Sequence, residues 1–273
     1  MKIVITIPAY NEAKTIANVI AKIKNELKDY KDTKILVVND GSNDNTEQVA
    51  KKAGAIVYSH PLNYGLAKTF KTEMQQCLKL NPDIIVHIDA DGQYLASDIT
   101  KLLKPIIAKQ ADLVLGSRFK GKIESMSFMK KIGNRAFSKV ISSITRKKIS
   151  DAQTGFRAFT KEVALLEIVS DYTYTQEQII RAVNAKLTIK EVPVFFAKRD
   201  DKSRLMKNPF DYAIKAWVNL LRMKTMDWGE NVIDLDECEK RMNIHTIDKC
   251  LKSCSCEPCN FTPDKNKGVE KDE

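Results

Sequence analysis

The sequence predicts an α/β fold, a doubly wound and mostly parallel sheet with helices on both faces. Three observations lead there. Short, β-branched, almost continuously apolar runs alternate with segments of helical periodicity through the first half of the chain. A strand, a helix and a second strand in that order close as a right-handed βαβ crossover. Three polar loops rich in acidic and small residues follow three of the apolar runs, where open sheets of this kind bind ligands.

The predicted strands are KIVITIPA (2–9), KILVVND (34–40), AIVYSH (55–60), DIIVHIDA (83–90) and DLVLGS (112–117). They lack the polar alternation of a half-exposed strand, so both faces must be covered. Between them, Ile16, Val19, Ile20, Ile23 and Leu27 recur at helical spacing, with Asn11 as the expected N-cap. Phe70, Met74, Cys77 and Leu78 mark a second helix. Ile99, Leu102, Leu103, Ile106 and Ile107 mark a third, which Pro105 should kink or stop early. The second half changes character. Residues 126–148 set Met126, Met129, Phe137, Val140, Ile141 and Ile144 among seven lysines and arginines, and FDYAIKAWVNLLRM (210–223) repeats the pattern around Trp217. Such a face either packs on the sheet or lies in a membrane interface. The expected organisation is a catalytic-type domain at 1–206, an amphipathic interfacial helix at 207–228, and a cysteine-rich acidic tail at 229–273, partly disordered.

Charge narrows the partners. The chain of 273 residues carries +10 overall, but its last 45 residues hold 11 acidic and 7 basic side chains, leaving +14 on the body. A basic body fits nucleic acid, an anionic membrane or a phosphorylated small molecule. The opening run MKIVITIPAY is too short for a secretory signal, and no apolar stretch reaches the roughly 18 residues a membrane span needs. A cytoplasmic protein with reduced thiols is therefore expected. Five of the six cysteines follow residue 237. Cys250, Cys254, Cys256 and Cys259 offer soft ligands for Zn²⁺, with Cys238 and His245 in reserve; the alternative is a reduced, mobile tail.

The acidic loop DADGQ carries the sharpest chemistry. Asp89 and Asp91 project the same way if strand geometry persists that far, and two anions so held repel each other. Carboxylates, with the Gln93 amide oxygen, are hard donors suited to Mg²⁺ or Mn²⁺. Such a cation would offset the repulsion, take further oxygens from a diphosphate, and act on it as a Lewis acid.

Taken together, IPAYNE, VNDGSNDNT, HIDADGQ, GSR and DAQTGFRAF resemble family-2 glycosyltransferases of the GT-A fold, over residues 1 to about 225. Within that family the chain is most similar to the dolichyl-phosphate mannose synthase group and related polyprenyl-phosphate glycosyltransferases. The resemblance implies inverting, metal-dependent transfer of a hexose from a GDP- or UDP-linked sugar to dolichyl or another polyprenyl phosphate. The product would be a lipid-linked monosaccharide for glycosylation, made by a protein peripheral to the cytoplasmic face of the membrane. By the same resemblance, Pro8, Ala9, Tyr10 and Glu12 belong to the loop that holds base and ribose, and Asn39 and Asp40 to a second nucleoside contact. Asp89, Ala90, Asp91 and Gln93 form the metal and diphosphate site. Arg118 and Arg135 are the basic pair near the acceptor phosphate, and Arg157 lies in the motif that shapes the sugar pocket. Arg199, Ser203 and Arg204 belong to a loop that closes over the donor. Two departures stand out: Asn39-Asp40-Gly41-Ser42 replaces the usual Asp-Asp-Gly-Ser, and Asp201-Lys202-Ser203-Arg204 lacks the glycine of the usual Gly-x-Ser-Lys.

A phosphate acceptor is already an anion at neutral pH, so no side-chain base is required. A saccharide or protein hydroxyl is the alternative acceptor, and it would require one. A nucleic-acid-binding protein is the distant alternative. It accounts for the charge but leaves DADGQ and IPAYNE without purpose, and no recognised binding motif is present.

Overall fold

The computed structural model describes residues 1–170 and 173–198. The helix expected at 207–228, the acidic tail with its cysteines, and Arg199, Ser203 and Arg204 lie outside the described residues.

In chain order the elements are β1 (Ile3–Ala9), α1 (Ile16–Glu26), β2 (Thr33–Asn39), α2 (Thr46–Lys52), β3 (Ile56–Ser59), α3 (Leu66–Lys79) and β4 (Ile84–His87). After a single 3₁₀ turn at Ala96–Asp98 come α4 (Ile99–Ile107), β5 (Leu113–Ile123) and α5 (Phe128–Thr145). The order ends with β6 (Arg157–Thr160), α6 (Lys161–Ala164), α7 (Tyr174–Asn184) and β7 (Ile189–Phe196). One seven-stranded sheet results, in the order β3-β2-β1-β4-β6-β5-β7. Every pairing is parallel except those of β6, which runs antiparallel to both β4 and β5.

The apolar strands are continuous because the sheet is covered twice. Ile3, Ile5 and Ile7 of β1 join Ile35 and Val37 of β2 in a core packed by α1 and α4. Val4, Leu36 and Val38 face the opposite core, filled by Phe70, Met74 and Cys77 of α3 and by residues of α5 and α7. Each fully buried Ile or Val stabilises the fold by about 1.5–3 kcal/mol relative to exposure, so neither face tolerates a polar stripe.

The structure corrects several expectations. β4 ends at His87, so Asp89 and Asp91 stand in the turn beyond the strand rather than on it. Asn11 does not cap α1. Thr15 holds that position, while Asn11 takes a left-handed φ of 55° and its side-chain oxygen accepts from the Asn43 N–H. Pro105 does not break α4 at once; the helix runs to Ile107, where the carbonyl of Pro105 accepts from the Gln110 N–H. β5 runs six residues past its predicted end at 117, to Ile123, and so contains Arg118. The amphipathic stretch 126–148 divides in two. Phe137 and Ile141 are buried in the core, whereas Met129 is exposed and Met126 precedes the helix, for which Ser127 is the cap. The strands β6 and β7 were not foreseen.

Candidate active site

The topology decides which loops meet. β2, β1 and β4 are adjacent and parallel, so the loops after them leave the same edge of the sheet. β6 is antiparallel, and its N-terminal end, preceded by DAQTGF, therefore reaches that edge too. β5 and β7 run with β4, which brings Arg118 and the end of β7 to the same side. All five sequence motifs of the first 160 residues converge at this edge.

The first two loops are laced together. Asn11 N–H donates to Ser42 Oγ at 2.9 Å, Glu12 N–H to Thr46 Oγ1 at 2.8 Å, and Ala13 N–H to Asp44 Oδ2 at 3.1 Å. Gly41 permits the next contact. It has a φ of 67°, and a Cβ there would come within 2.3 Å of the Leu62 carbonyl carbon. Asp40 is buried and accepts from three donors: His60 Nδ1 at 2.8 Å, Tyr64 N–H at 2.9 Å and Gly65 N–H at 2.8 Å. Burial alone would raise the Asp40 pKa, but these donors hold it below the ordinary value. Asp40 thus secures the loop before α3 from beneath. Asn39 is also buried; it donates to Ser59 Oγ at 3.1 Å and accepts from Ser42 N–H at 3.3 Å. Pro8 and Ala9 are buried at the end of β1, whereas Tyr10 and Glu12 remain half-buried at its mouth.

The acidic turn is held on both sides. Asp91 Oδ1 accepts from Gln93 N–H at 3.0 Å, and the Gln93 amide nitrogen donates to the Ala197 carbonyl at 3.0 Å, pinning the turn to the end of β7. Behind Asp89 stands Gly155, close enough that a Cβ there would lie 3.2 Å from both carboxylate oxygens. Burial, and then the charge of Asp91, push the Asp89 pKa up to about 6. His87 and Arg118 offset this rise only in part.

Arg118 is nearly buried and held bidentate by Asp151, with Nε to Oδ2 at 2.7 Å and Nη2 to Oδ1 at 2.8 Å. Asp151 Oδ2 also accepts from the Arg118 N–H at 3.0 Å. Burial opposes the charge on Arg118, yet Tyr94, Asp151 and Asp89 raise its pKa and keep it protonated. Its guanidinium carbon lies 5.3 Å from the Phe196 ring centroid. Arg135 is exposed on α5 and sits 5.2 Å over the ring of Phe119, the residue after Arg118. Arg118 lies on, and Arg135 packs over, the stretch of β5 where its register against β7 shifts.

Arg157 is placed differently from the other predicted residues. It is wholly buried, donates to the Thr175 carbonyl and Gln178 Oε1 at 3.1 and 2.9 Å, and also bonds the Thr154 carbonyl. Burial lowers its pKa to about 10. Its guanidinium braces the TGF segment.

Sequence reasoning missed Asp151, Tyr94, Glu73, His87, His60 and Glu191. Glu73 and His87 did leave a signal, being charged or polar residues on the apolar faces of α3 and β4. His87 Nδ1 donates to the Gly155 carbonyl at 2.8 Å, and its Nε2 lies 3.1 Å from Glu73 Oε2, all fully buried. Glu191 of β7 accepts from the N–H groups of Ser150 and Asp151 and from Ser150 Oγ, and pairs with Lys120 at 2.9 Å, fixing the segment that carries Asp151.

Among the described residues, no group of three or more His, Cys, Asp or Glu side chains is gathered to hold a metal ion. An ion that shares its shell with a diphosphate takes only one or two carboxylates from the protein, and the acidic turn offers two.

Comparison with known proteins agrees with this architecture. The profile of Glycosyl transferase family 2 matches residues 4–165. A UDP-N-acetylglucosamine–dolichyl-phosphate N-acetylglucosaminyltransferase of Methanococcus voltae is 33% identical over 217 residues, covering 70% of this chain and 84% of the relative. A dolichyl-phosphate hexose transferase of Haloferax volcanii is 30% identical over 205 residues, covering 74% and 84%. Among solved structures, glucosyl-3-phosphoglycerate synthase of Mycobacterium tuberculosis, crystallised with Mn²⁺, UDP and phosphoglyceric acid, superposes with a TM-score of 0.62. It is 17% identical and covers 82% of this chain and 79% of its own. The likeness shows the fold, a GT-A-like α/β sheet.

Proposed function

This chain belongs to glycosyl transferase family 2, and on that footing we propose that it transfers a hexose from a nucleotide-diphospho sugar to dolichyl or another polyprenyl phosphate. One observation carries the choice of acceptor. The edge that gathers the acidic turn also gathers Arg118, while two carboxylates outside that turn, Asp40 and Asp151, are already engaged. Asp40 accepts from three donors, and Asp151 holds Arg118 through two charge-assisted bonds. A carboxylate so engaged is a poor proton acceptor, which disfavours an acceptor hydroxyl that must lose its proton. A phosphate oxygen has no proton to lose and needs only orientation and screening, which arginines supply.

In the proposed reaction an acceptor phosphate oxygen donates its electron pair to the anomeric carbon. The bond to the nucleotide diphosphate breaks on the opposite face, and the departing diphosphate keeps that bond's pair. The anomeric configuration inverts. Tyr10, Glu12 and the loop secured by Asp40 receive the nucleoside, and Arg118 with Arg135 receives the acceptor phosphate. Asp89, Asp91 and the Gln93 amide oxygen fit Mg²⁺ or Mn²⁺ by donor type and by the only partly offset charge on Asp89. Such an ion would stabilise the charge growing on the leaving diphosphate. The Mn²⁺ and UDP of the fold neighbour support this reading.

A lipid acceptor requires work at a membrane surface. No helix among the described residues is long and apolar enough to cross a membrane. Phe128 and Met129 are each 75% exposed and Ile132 is 47% exposed at the start of α5, with Lys130 and Lys131 between them. This apolar and basic end of α5 suits peripheral docking on an anionic cytoplasmic leaflet.

The test is to incubate the protein with GDP- and UDP-sugars, dolichyl phosphate and Mg²⁺ or Mn²⁺, and identify the lipid product by mass spectrometry. A glycosyl phosphodiester of the lipid is expected. Glycosylation of a saccharide or peptide hydroxyl, with the lipid phosphate unreacted, would overturn the proposal.

A further inference from the structure

Behind the Asp89 carboxylate stands a residue with no side chain, Gly155. Both carboxylate oxygens would lie 3.2 Å from a Cβ at position 155, closer than such contacts ordinarily allow. The glycine is not there for its backbone angles, since its φ lies outside the left-handed region. It is there for space.

The segment that presents this glycine is clamped at every residue. The Thr154 carbonyl accepts from Arg157, and Thr154 Oγ1 meets Tyr94 Oη at 3.2 Å. The Gly155 carbonyl accepts from His87 Nδ1 at 2.8 Å, with Glu73 on the far side of the imidazole. The Phe156 carbonyl accepts from Gly116 N–H at 2.8 Å. A carbonyl at Nδ1 requires a proton on that nitrogen, so His87 holds the Gly155 carbonyl as a donor. Thr154–Phe156 is therefore a rigid wall, and Asp89 is the residue pressed against it.

We infer that Gly155 is a positioning residue, the seat that fixes which way the Asp89 carboxylate faces, with His87 and Glu73 holding that seat from behind. The inference rests on the reading of Asp89 as an anchor for the cation and diphosphate. A methyl group at the seat would tilt or shift the carboxylate by a few tenths of an ångström, enough to spoil the direction of its lone pairs. Groups that orient a ligating carboxylate typically change metal affinity by about 10–100-fold when altered.

Two measurements on the full chain test it. The first is Mn²⁺ binding by electron paramagnetic resonance in the presence of a nucleoside diphosphate, for the wild type and Gly155→Ala. A loss of about tenfold in affinity is expected, and equal affinity would overturn the inference. The second is a thermal-stability cycle of Gly155→Ala in the wild-type and Asp89→Ala backgrounds. The alanine should lower the melting temperature by roughly 3 °C more when Asp89 is present than when the carboxylate is gone. The effect of alanine on the unfolded chain is common to both backgrounds and cancels. An equal fall in both backgrounds, or failure of both alanine variants to fold, means that the methyl meets something other than Asp89, and the seat is wrong. If wild-type protein binds no Mn²⁺, the metal reading fails, while the melting cycle still decides the seat.

Discussion

The two halves of the sheet build their parts of the site in opposite ways. On the β3-β2-β1-β4 side, acidic side chains stand in loops beyond the ends of parallel strands, tied loop to loop by hydrogen bonds. On the β6-β5-β7 side, the key cation sits within a strand, is nearly buried, and is clamped by an aspartate from the entry to an antiparallel strand. The first side bears the Asp89 carboxylate, whose pKa burial and the charge of Asp91 raise. The second bears a guanidinium fixed in place by its carboxylate partner. The proposed donor, arriving with a cation, and the proposed acceptor, arriving as an anion, would call for this division. The proposed reaction takes place where the two sides meet.

The comparison breaks most visibly at Asp89. Asp89→Asn keeps the shape of the seat and removes the charge. Lipid-product formation should fall by roughly a thousandfold, in line with the several kcal/mol a bound ion can supply, and Mn²⁺ binding should be lost with it. A chelator should reproduce the loss in the wild type. Full turnover in excess chelator would dissolve the contrast between the two sides.

The other side breaks at Asp151. Asp151→Asn removes the bidentate carboxylate and leaves Arg118 buried with an incomplete partner, at a cost to stability of about 3–5 kcal/mol. If the pair positions the acceptor, kcat/KM for the lipid phosphate should fall about a hundredfold, while calorimetric affinity for the nucleoside diphosphate stays put. Equal damage to donor and acceptor binding would mean that Asp151 merely holds the fold together.

The same contrast explains what could be read from the sequence. Parallel strands buried on both faces announce themselves as unbroken apolar runs, and their loops follow at once, so IPAYNE, NDGSND and DADGQ were legible. β6 has only four residues, Arg157–Thr160, and begins with an arginine that belongs to the interior. Nothing in so short a run announces a strand, still less one that reverses direction. Without β6 there is no reason to bring Asp151 beside Arg118 or Gly155 behind Asp89. Asn11 misled for a related reason: an asparagine before a helical pattern reads as a cap, but here its side chain is taken up by the neighbouring loop. The pattern of α5 was read as one face, whereas only its second half meets the core.

That division of α5 yields a smaller prediction. Phe128→Ser with Met129→Ser should weaken binding to anionic vesicles by one to two decades, as expected for two large apolar groups withdrawn from the interface. Turnover of a short-chain, water-soluble polyprenyl phosphate should be unchanged, because neither residue belongs to the reacting edge. Unaltered flotation would leave the basic end of α5 as ordinary surface.

The smallest effect concerns pH and belongs to the donor side. Asp40 has a folded pKa below the ordinary 3.8 of an aspartate, so between the two values the unfolded chain holds the extra proton. Stability therefore rises with pH through that window, is fully present above about pH 4, and is lost as pH falls through the folded value. Asp40→Asn cannot titrate, and its amide turns a donor toward N–H groups that need an acceptor. The variant should be the less stable protein at pH 6, and the gap to the wild type should narrow as the pH approaches 3 in urea unfolding curves. A gap of constant size would mean that shape rather than charge is what Asp40 contributes beneath the Tyr64–Gly65 loop. The donor side would then be held together without the electrostatic character that sets it apart from the acceptor side.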